Sequence, residues 1–177
     1  MSTKQAQQNI FIVGPMGSGK TTIGRQIAKL LGLEFIDSDH EIENRTGVDI
    51  PFIFEKEGED GFRKREHDMI HELCSRSGIV LATGGGAVID KDNRTALANN
   101  GIVIYLEAPV SELLKRTARD KNRPLLQIDN PKAKLEALLH EREAFYQEVA
   151  DLVINTGHRS AKDVVKEILE KTDSIVK

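Results

Sequence analysis

The most specific chemical signal in the sequence is the glycine-rich segment Gly14–Thr21, which reads GPMGSGKT. It matches the phosphate-binding pattern G-x-x-x-x-G-K-[ST] and lies between a strand-like apolar run and a helical pattern. Glycines let successive backbone N–H groups point toward one anion, and the N-terminus of the following helix adds partial positive charge. In such a segment Lys20 reaches the terminal phosphates and the Thr21 hydroxyl ligates Mg²⁺. The segment therefore predicts a site for a nucleoside triphosphate.

Other features of the sequence narrow the kind of reaction. GTPases carry a guanine-selecting Asn-Lys-x-Asp segment, which this sequence lacks; residues 120–122 read DKN. Motor and transporter ATPases are much longer than 177 residues. A short chain with a helical insertion and a basic loop favours a kinase that acts on a small molecule.

Two carboxylates follow the second predicted strand, in a segment that reads DSD. Side chains at i and i+2 of an extended chain point the same way, so Asp37 and Asp39 are predicted to face the phosphate-binding segment. One could hold Mg²⁺ through water while the other accepts a proton from a substrate hydroxyl. The alternative is helix capping, because Ser38 or Asp39 ahead of Glu41 would make a good N-cap. The sequence leaves both interpretations open.

Three consecutive glycines, Gly84, Gly85 and Gly86, follow the third predicted strand. Without side chains, the backbone at the end of a strand can approach a ligand very closely. The same residues would also form a tight turn that touches no ligand. Taken alone, the glycines favour the tight turn.

Two arginines occupy positions where a positive charge needs an explanation. Arg142 interrupts an apolar helical pattern made by Leu135, Leu138, Leu139, Phe145, Tyr146 and Val149. A guanidinium directed toward a core requires an anionic partner, because an unpaired buried charge is very costly. That partner is either a ligand or a protein carboxylate, and the sequence alone favours the carboxylate. Arg63 is open in the same way, because Glu66 lies one helical turn further on.

The segment His67–His71 superficially resembles the metal-binding helix of a zinc protease. Asp68 stands where the general-base glutamate belongs, and no third ligand is evident downstream. We therefore interpret His67 and His71 as surface or boundary histidines. Cys74 is expected to pack as a small hydrophobic residue.

Composition and charge limit the class of protein. Hydrophobic residues make up 39% of the 177, which is enough for one core, and a single cysteine excludes an internal disulfide framework. The net charge of −3 argues against a nucleic-acid-binding protein. Residues 1–9 lack a signal-peptide core, and the apolar runs are too short to span a bilayer. We expect a cytoplasmic monomer that binds neither nucleic acid nor membranes.

Five apolar segments are predicted to be strands: Ile10–Val13, Glu34–Asp37, Ile79–Thr83, Ile102–Leu106 and Leu152–Asn155. The strongest of them barely alternate with polar residues, as in a parallel sheet covered on both faces. Helical patterns lie between the strands. One helical face is predicted from Ile23, Ile27, Leu30 and Leu31. Gly32 follows as its C-cap. Strands that alternate with helices predict a doubly wound α/β sheet with right-handed connections.

We expect one domain over 1–177, with two insertions that are too long for plain connections. The first, at about 38–72, is largely helical in pattern. The second, at about 117–131, has Arg119, Lys121 and Arg123 among polar residues. A polar, basic segment of this length is either a lid or a linker, and its position between two helical segments favours a mobile lid.

Taken together, these motifs resemble those of the shikimate kinases, a family of the nucleoside-monophosphate-kinase structural class. The resemblance runs in order from Gly14 to about Arg159. Its segments are GPMGSGKTTIG (14–24), DSD (37–39), GVDIPFIF (47–54), GE (58–59), FRKRE (62–66), TGGGAV (83–88), RPLL (123–126) and ER followed by Tyr146 (141–146). A phosphate-binding loop alone is generic, whereas DSD, FRxxE, GGG and RPLL in one chain are highly specific.

The resemblance implies ATP-dependent phosphorylation of the 3-hydroxyl of shikimate, which gives shikimate 3-phosphate for aromatic amino-acid synthesis. The implied fold is a P-loop kinase domain with a five-stranded parallel sheet, a helical substrate-binding insertion and a mobile lid. The residues implied to bind shikimate are Asp39, Arg63, Gly84, Gly85, Gly86 and Arg142. Two converging guanidiniums would suit the one carboxylate of shikimate.

The same resemblance implies a nucleotide site. The residues implied to bind ATP are Gly17, Ser18, Gly19, Lys20, Thr21, Thr22, Arg116, Arg123 and Arg159. Mg²⁺ would be held by Thr21 and, through water, by Asp37. The implied catalytic residues are Asp39, Lys20 and Arg123, with Arg123 on the lid. Arg116 and Arg159 would flank adenine, although 157–159 match the family least well.

Two other functions compete with this interpretation. A kinase for another small acid or polyol, such as gluconate, is disfavoured by the FRxxE segment and the paired arginines. A nucleotide-binding regulatory module without catalytic activity is disfavoured by the intact set of Lys20, Thr21, Asp39 and Arg123. A module that only binds nucleotide could lose Asp39.

Overall fold

A computed structural model describes residues 8–118 and 129–175. Its strands are β1 (Asn9–Val13), β2 (Glu34–Asp37), β3 (Ile79–Ala82), β4 (Gly101–Glu107) and β5 (Leu152–Asn155). Its α-helices are α1 (Lys20–Leu31), α2 (Ser38–Thr46), α3 (Ile50–Cys74), α4 (Lys91–Asn100), α5 (Val110–Thr117), α6 (Pro131–Val149) and α7 (Ala161–Thr172). A short 3₁₀ helix, Ala87–Ile89, lies between β3 and α4.

The strands form one parallel sheet in the order β2-β3-β1-β4-β5. Nearly every residue of the three central strands is buried, which explains their continuous apolar sequences. The two edge strands are only partly buried, and their sequence patterns are correspondingly weaker. The predicted α/β fold is confirmed, and each predicted strand boundary lies within one residue of the observed one.

Helices cover both faces of the sheet, so the strands contribute to two cores. Phe11 and Val13 of β1 pack into a core with residues of α3, α4 and α6. Ile10 and Ile12 point to the other face and pack with residues of α1 and α7. This alternation follows from the two-residue period of a strand. It anchors the C-terminal end of β1, where the phosphate-binding segment begins.

Helix α1 differs from its prediction at the last turn. Ile23 and Ile27 are buried against the sheet and Gly32 caps the helix, as predicted. Leu30 and Leu31, which were predicted on the same face, are instead 64% and 40% exposed. The chain reverses at Gly32, and Leu33 packs against the core in their place.

Helices α2 and α3 occupy the segment predicted as the first insertion. The backbone of α3 leaves helical geometry at Gly58, so α3 consists of two helical parts. Phe62, Ile70 and Leu73 of its second part are buried in the core that also contains Phe11. Within 8–118 and 129–175, no helix combines the length and apolar character needed to cross a membrane.

Candidate active site

Two cavities adjoin at the C-terminal edge of the sheet, where open parallel sheets bind their ligands. The smaller one, of about 330 Å³, is lined by the phosphate-binding segment and is called the phosphate cavity below. The larger one, of about 570 Å³, lies between α2, α3 and the three glycines after β3 and is called the acceptor cavity. Four residues line both cavities: Asp37, Asp39, Gly84 and Gly85.

The phosphate-binding segment adopts the geometry expected of an anion nest. Gly17 and Gly19 have φ values of 82° and 97°, a left-handed conformation that side chains other than glycine rarely adopt. Gly19 is the N-cap residue of α1, and no side chain caps that helix end. The first N–H groups of α1 therefore remain available to an anion, with the helix dipole favouring negative charge.

Lys20 lies within this loop. Its Nζ donates hydrogen bonds to the carbonyl oxygens of Gly14, at 2.8 Å, and Pro15, at 2.9 Å. These contacts hold the ammonium group over the loop that would receive the phosphates. Lys20 also lines the phosphate cavity, together with Thr21 and Thr22.

Asp37 connects the loop to α2. Its Oδ2 accepts a hydrogen bond from Thr21 Oγ1 at 2.9 Å, and its Oδ1 accepts from the backbone N–H groups of Asp39 and His40. The alternative in which Ser38 or Asp39 caps α2 is wrong in its residue, because β2 ends at Asp37 and Asp37 is itself the N-cap. Capping and the contact with Thr21 are therefore not alternatives. Asp37 Oδ1 caps α2, while Oδ2 binds the Thr21 hydroxyl.

Asp39 lies in the first turn of α2, at the junction of the two cavities. A Cβ atom placed on Gly84 would be only 2.6 Å from Asp39 Oδ1 and 2.9 Å from Glu66 Oε2. Glycine at position 84 thus lets two carboxylates approach the backbone that follows β3. Asp39, like Asp37, therefore presents a carboxylate to both cavities, and it lies beside Gly84 at their junction.

The three glycines form a turn that both cavities share in part. The Gly84 N–H donates to the buried Ser38 hydroxyl at 3.0 Å, which fastens the turn to α2. A Cβ atom on Gly86 would lie 2.3 Å from Arg63 Nη2, so only glycine leaves room for that guanidinium. The turn is tight, as the glycines alone favoured, and it lies against Asp39, Glu66 and Arg63, whereas contact with a ligand stays a prediction.

Arg63 and Glu66 form an ion pair on the wall of the acceptor cavity. Arg63 Nη1 lies 2.8 Å from Glu66 Oε1, and Nη2 lies 3.2 Å from Glu59 Oε1. Burial raises the pKa of the Glu66 carboxyl, and the Arg63 guanidinium opposes that rise. Among the described residues, Glu66 Oε2 and Arg63 Nε have no hydrogen-bond partner. This pair therefore retains hydrogen-bonding capacity toward the cavity.

Arg142 has a different environment. It is 3% exposed, lines the acceptor cavity, and in the described part of the chain no carboxylate oxygen lies within 4.0 Å of its guanidinium. Its Nε likewise has no hydrogen-bond partner there. Glu66 interacts with it only at longer range, through the effect of Arg142 on the Glu66 pKa. A buried cation without a close protein carboxylate favours an anionic ligand as its partner.

Comparison with known proteins identifies the family. The model of the family described as Shikimate kinase matches residues 16–173. A shikimate kinase of Actinobacillus pleuropneumoniae is 54% identical over 169 residues, which cover 96% of this chain and 98% of the relative. One of Acinetobacter baumannii is 57% identical over 162 residues, covering 92% and 90%. The chain belongs to the shikimate kinase family.

A solved structure supports this membership. The shikimate kinase of Acinetobacter baumannii in complex with shikimate has a TM-score of 0.93 and 56% identity to this chain. The comparison covers 95% of this chain and 94% of that one. The resemblance drawn from the motifs is therefore confirmed at the level of the family and the fold.

Of the two described arginines implied to bind the nucleotide, Arg116 lies at the phosphate cavity and Arg159 does not. Arg116 lines the phosphate cavity and donates to the Gly17 and Thr156 carbonyl oxygens at 3.1 and 2.9 Å. Arg159 instead pairs with Glu167 at 2.6 Å and lines neither cavity. Arg123 and the rest of 119–128 lie outside the described residues, so its predicted role and that of the lid stay predictions.

Sequence reasoning did not single out Thr156 or Ser38 as site residues, although both support the site. The Thr156 hydroxyl donates to the carbonyl oxygen of Ser18 at 3.1 Å and accepts from Arg116. It thereby links the phosphate-binding loop to the segment after β5. No local pattern marks such residues, and their signal would be their burial as polar side chains.

Proposed function

We propose that this enzyme transfers the terminal phosphoryl group of ATP to the 3-hydroxyl of shikimate. The observation that carries the proposal is the position of Asp39 on the wall common to the phosphate and acceptor cavities. Phosphoryl transfer needs the attacking and leaving oxygens roughly in line, on either side of the transferred group. Two adjoining cavities that share the carboxylates of Asp37 and Asp39 support that arrangement. Membership in the shikimate kinase family supports ATP as the donor and shikimate as the acceptor.

The charges of the acceptor cavity support recognition of a carboxylate. Arg63 is already paired with Glu66 and Glu59, whereas Arg142 lacks a close carboxylate among the described residues. The planar fork of a guanidinium matches a carboxylate with two hydrogen bonds. We assign the shikimate carboxylate to Arg142, with Arg63 beside it. Gly84, Gly85 and Gly86 form the adjoining wall.

We assign Asp39 as the group that orients the substrate hydroxyl and accepts its proton. The transition state is loose, so positioning and charge stabilisation dominate, but the hydroxyl must still be aimed in line and lose its proton. Lys20, held over the loop by two carbonyl oxygens, is the cation that stabilises the phosphate charge. The loop N–H groups from Gly17 to Thr22 bind the phosphate oxygens.

Thr21 and Asp37 fit a magnesium ion. Their oxygens lie 2.9 Å apart beside the N-terminus of α1, and hydroxyl and carboxylate oxygens are the hard ligands that Mg²⁺ takes. When bound, the ion neutralises charge on the phosphate oxygens. We propose Thr21 as a direct ligand and Asp37 as a ligand through water.

Three arginines complete the proposed nucleotide site. Arg116, which contacts the loop at Gly17, is proposed to lie against the adenine. Arg159 would have to leave Glu167 to do the same, so its assignment has less support. Arg123 is proposed to act on the transferred phosphoryl group from the segment at 117–131.

A coupled assay that follows ADP release tests the function, with Mg²⁺, ATP and one acceptor at a time. The acceptors are shikimate, gluconate and a nucleoside monophosphate. We expect turnover with shikimate alone, and loss of most of it in Asp39→Asn purified in parallel, which controls for kinases of the expression host. Turnover with gluconate or the monophosphate but not shikimate would overturn the proposal. ATP binding without turnover of any acceptor would instead support the non-catalytic module.

A further inference from the structure

The turn Gly84–Gly86 is a wall of the acceptor cavity, yet it has no side chains with which to hold its own position. Its backbone is fastened by neighbouring elements instead. At one end, Ser38 of α2 accepts a hydrogen bond from the Gly84 N–H. The residue that fastens the middle of the turn comes from α6, on the opposite side of the cavity.

That residue is Tyr146. Its hydroxyl donates to the carbonyl oxygen of Gly85 at 2.5 Å, although 61 residues separate the two in sequence. Tyr146 is 1% exposed, and its ring stacks on Tyr105 of β4 with centroids 5.0 Å apart. Burial raises the Tyr146 pKa to about 12, against the opposing charge of Arg142 and a side-chain hydrogen bond from its guanidinium. The hydroxyl therefore stays protonated and available as a donor at neutral pH.

Tyr146 also lies one helical turn after Arg142, so both side chains share one face of α6. Both reach the same glycine. Arg142 Nη1 is 3.7 Å from the position of a Cβ atom on Gly85, and the Tyr146 hydroxyl binds the carbonyl oxygen of that residue. Gly85 is therefore held against the guanidinium proposed to bind the substrate carboxylate. Its distance from Arg142 is set by a stacked, buried ring.

We propose that Tyr146 is a positioning residue for the acceptor substrate, which acts by holding the Gly84–Gly86 turn at a fixed distance from Arg142. The inference rests on the proposed function, because it takes shikimate to lie in the acceptor cavity against both this turn and Arg142. Tyr146 itself touches no reacting atom. Its hydroxyl makes no described hydrogen bond to the phosphate-binding loop, although Gly85 itself lies beside Met16 and Gly14 of that loop.

The substitution Tyr146→Phe keeps the stacked ring and removes the hydroxyl, and with it the bond to Gly85 and the polar contact with Arg142. Loss of a bond to a buried carbonyl should raise the KM for shikimate about five- to twentyfold, with kcat and the KM for ATP within about twofold of wild type. Tyr105→Phe is the matched control. It removes the hydroxyl of the other ring in the same stack, which has no described bond to the turn, and we expect both KM values to stay within about twofold.

A thermodynamic cycle adds a second measurement. Shikimate is titrated calorimetrically into Tyr146→Phe, Arg142→Ala and the double variant, and we expect the double loss to be smaller than the product of the single losses. Equal increases in both KM values, an unchanged KM for shikimate, fully multiplicative losses, or unfolding of Tyr146→Phe alone would each overturn the inference. Wild-type protein that does not turn over shikimate would overturn the proposed function instead, so the two failures are distinguishable.

Discussion

The two cavities of this enzyme are built in different ways. The phosphate cavity is centred on one continuous segment, whose backbone N–H groups and glycine conformations lead directly into α1, and residues from other elements complete its lining. The acceptor cavity is made by side chains from α2, α3 and α6 that meet over the Gly84–Gly86 turn. The phosphate cavity depends on local backbone geometry, whereas the acceptor cavity depends on tertiary packing.

The two cavities also differ in how fully their charged side chains are hydrogen-bonded. In the phosphate cavity the ammonium of Lys20 rests on loop carbonyl oxygens at 2.8 and 2.9 Å. In the acceptor cavity, Arg142, Arg63 and Glu66 all retain atoms without a hydrogen-bond partner among the described residues. Unmet hydrogen-bonding capacity in a buried site is costly unless a ligand meets it. Substitutions in the acceptor cavity should therefore act on substrate affinity more than on stability.

The largest effect is expected at Asp39, where the two cavities meet. Asp39→Asn keeps the size and one acceptor oxygen but cannot take a proton. We expect a normally folded protein that binds ATP and loses about 10²- to 10⁴-fold in kcat. Steady-state kinetics across a magnesium titration measures this loss. A kcat near that of wild type, or rescue by excess Mg²⁺, would contradict the assignment.

Asp37→Asn is the matched variant two residues earlier, at the carboxylate that accepts a hydrogen bond from Thr21. Asparagine is also a good N-cap, so the start of α2 should be preserved. The variant loses the carboxylate that accepts from Thr21, and we expect a raised magnesium requirement with kcat largely recovered at high Mg²⁺. If both variants respond to magnesium alike, the two carboxylates do not have separate roles.

The next largest effect is expected at Arg142. Arg142→Ala should weaken shikimate binding by about 1.5–3 kcal/mol, the usual contribution of a charged hydrogen bond, and leave ATP binding nearly unchanged. Because no described carboxylate lies within 4.0 Å, the variant should lose little stability. Calorimetry and thermal unfolding measure the two quantities. Unchanged shikimate affinity with a large loss of stability would mean that Arg142 has a structural partner instead.

A smaller effect is expected from Gly86→Ala. The new Cβ would lie 2.3 Å from Arg63 Nη2, so the end of that side chain must move while the backbone stays. We expect the KM for shikimate to rise about fivefold to tenfold, as for one misplaced hydrogen-bonding group, and the KM for ATP to hold. Gly32→Ala is the control outside the site. With a φ of 66° and open space around it, this variant should lose stability without any change in KM.

The same contrast explains how much the sequence predicted. The phosphate-binding segment, the strand ends and the turn after β3 follow from local patterns, because glycine spacing and continuous apolar runs are properties of short segments. Helix capping at Asp37 was assigned to the wrong residue, since it depends on where β2 ends. Leu30 and Leu31 were assigned to the core because periodicity does not show where a helix leaves the sheet.

The acceptor cavity was predictable only through its family resemblance. Apolar spacing marks Arg142 as exceptional, but whether a carboxylate meets it depends on α3, which is distant in sequence. The bond from Tyr146 to Gly85 and the bond from Thr156 to Ser18 span 61 and 138 residues. No periodicity encodes such pairings, because they result from how the helices pack on the sheet.

The smallest predicted effect concerns His67, a residue of α3 that does not line the acceptor cavity and that pairs with Asp90. His67 Nδ1 lies 2.6 Å from Asp90 Oδ2, and both side chains are about one-third exposed. This hydrogen bond raises the pKa of His67. Burial acts to raise the pKa of Asp90, but the hydrogen bonds from His67 and from backbone N–H groups outweigh it and lower the net value.

These shifts set the pH range in which the pair stabilises the fold. The contribution of His67 to the free energy of unfolding is full below its unfolded pKa of about 6.5. It is lost as the pH rises through the raised pKa of the folded state. The Asp90 contribution is full above about 3.9 and is lost as pH falls through the lowered folded value. His67→Gln should therefore cost less than about 1 kcal/mol near pH 5.5 and almost nothing near pH 9.

Urea unfolding at both pH values measures this difference, with His71→Gln, whose ring stacks on His67, as the control. Because neither His67 nor Asp90 lines either cavity, the KM for shikimate should not change in either variant. A loss of stability that persists at pH 9 would contradict the role of the charge on His67, and a changed KM for shikimate would mean that His67 also affects the acceptor cavity.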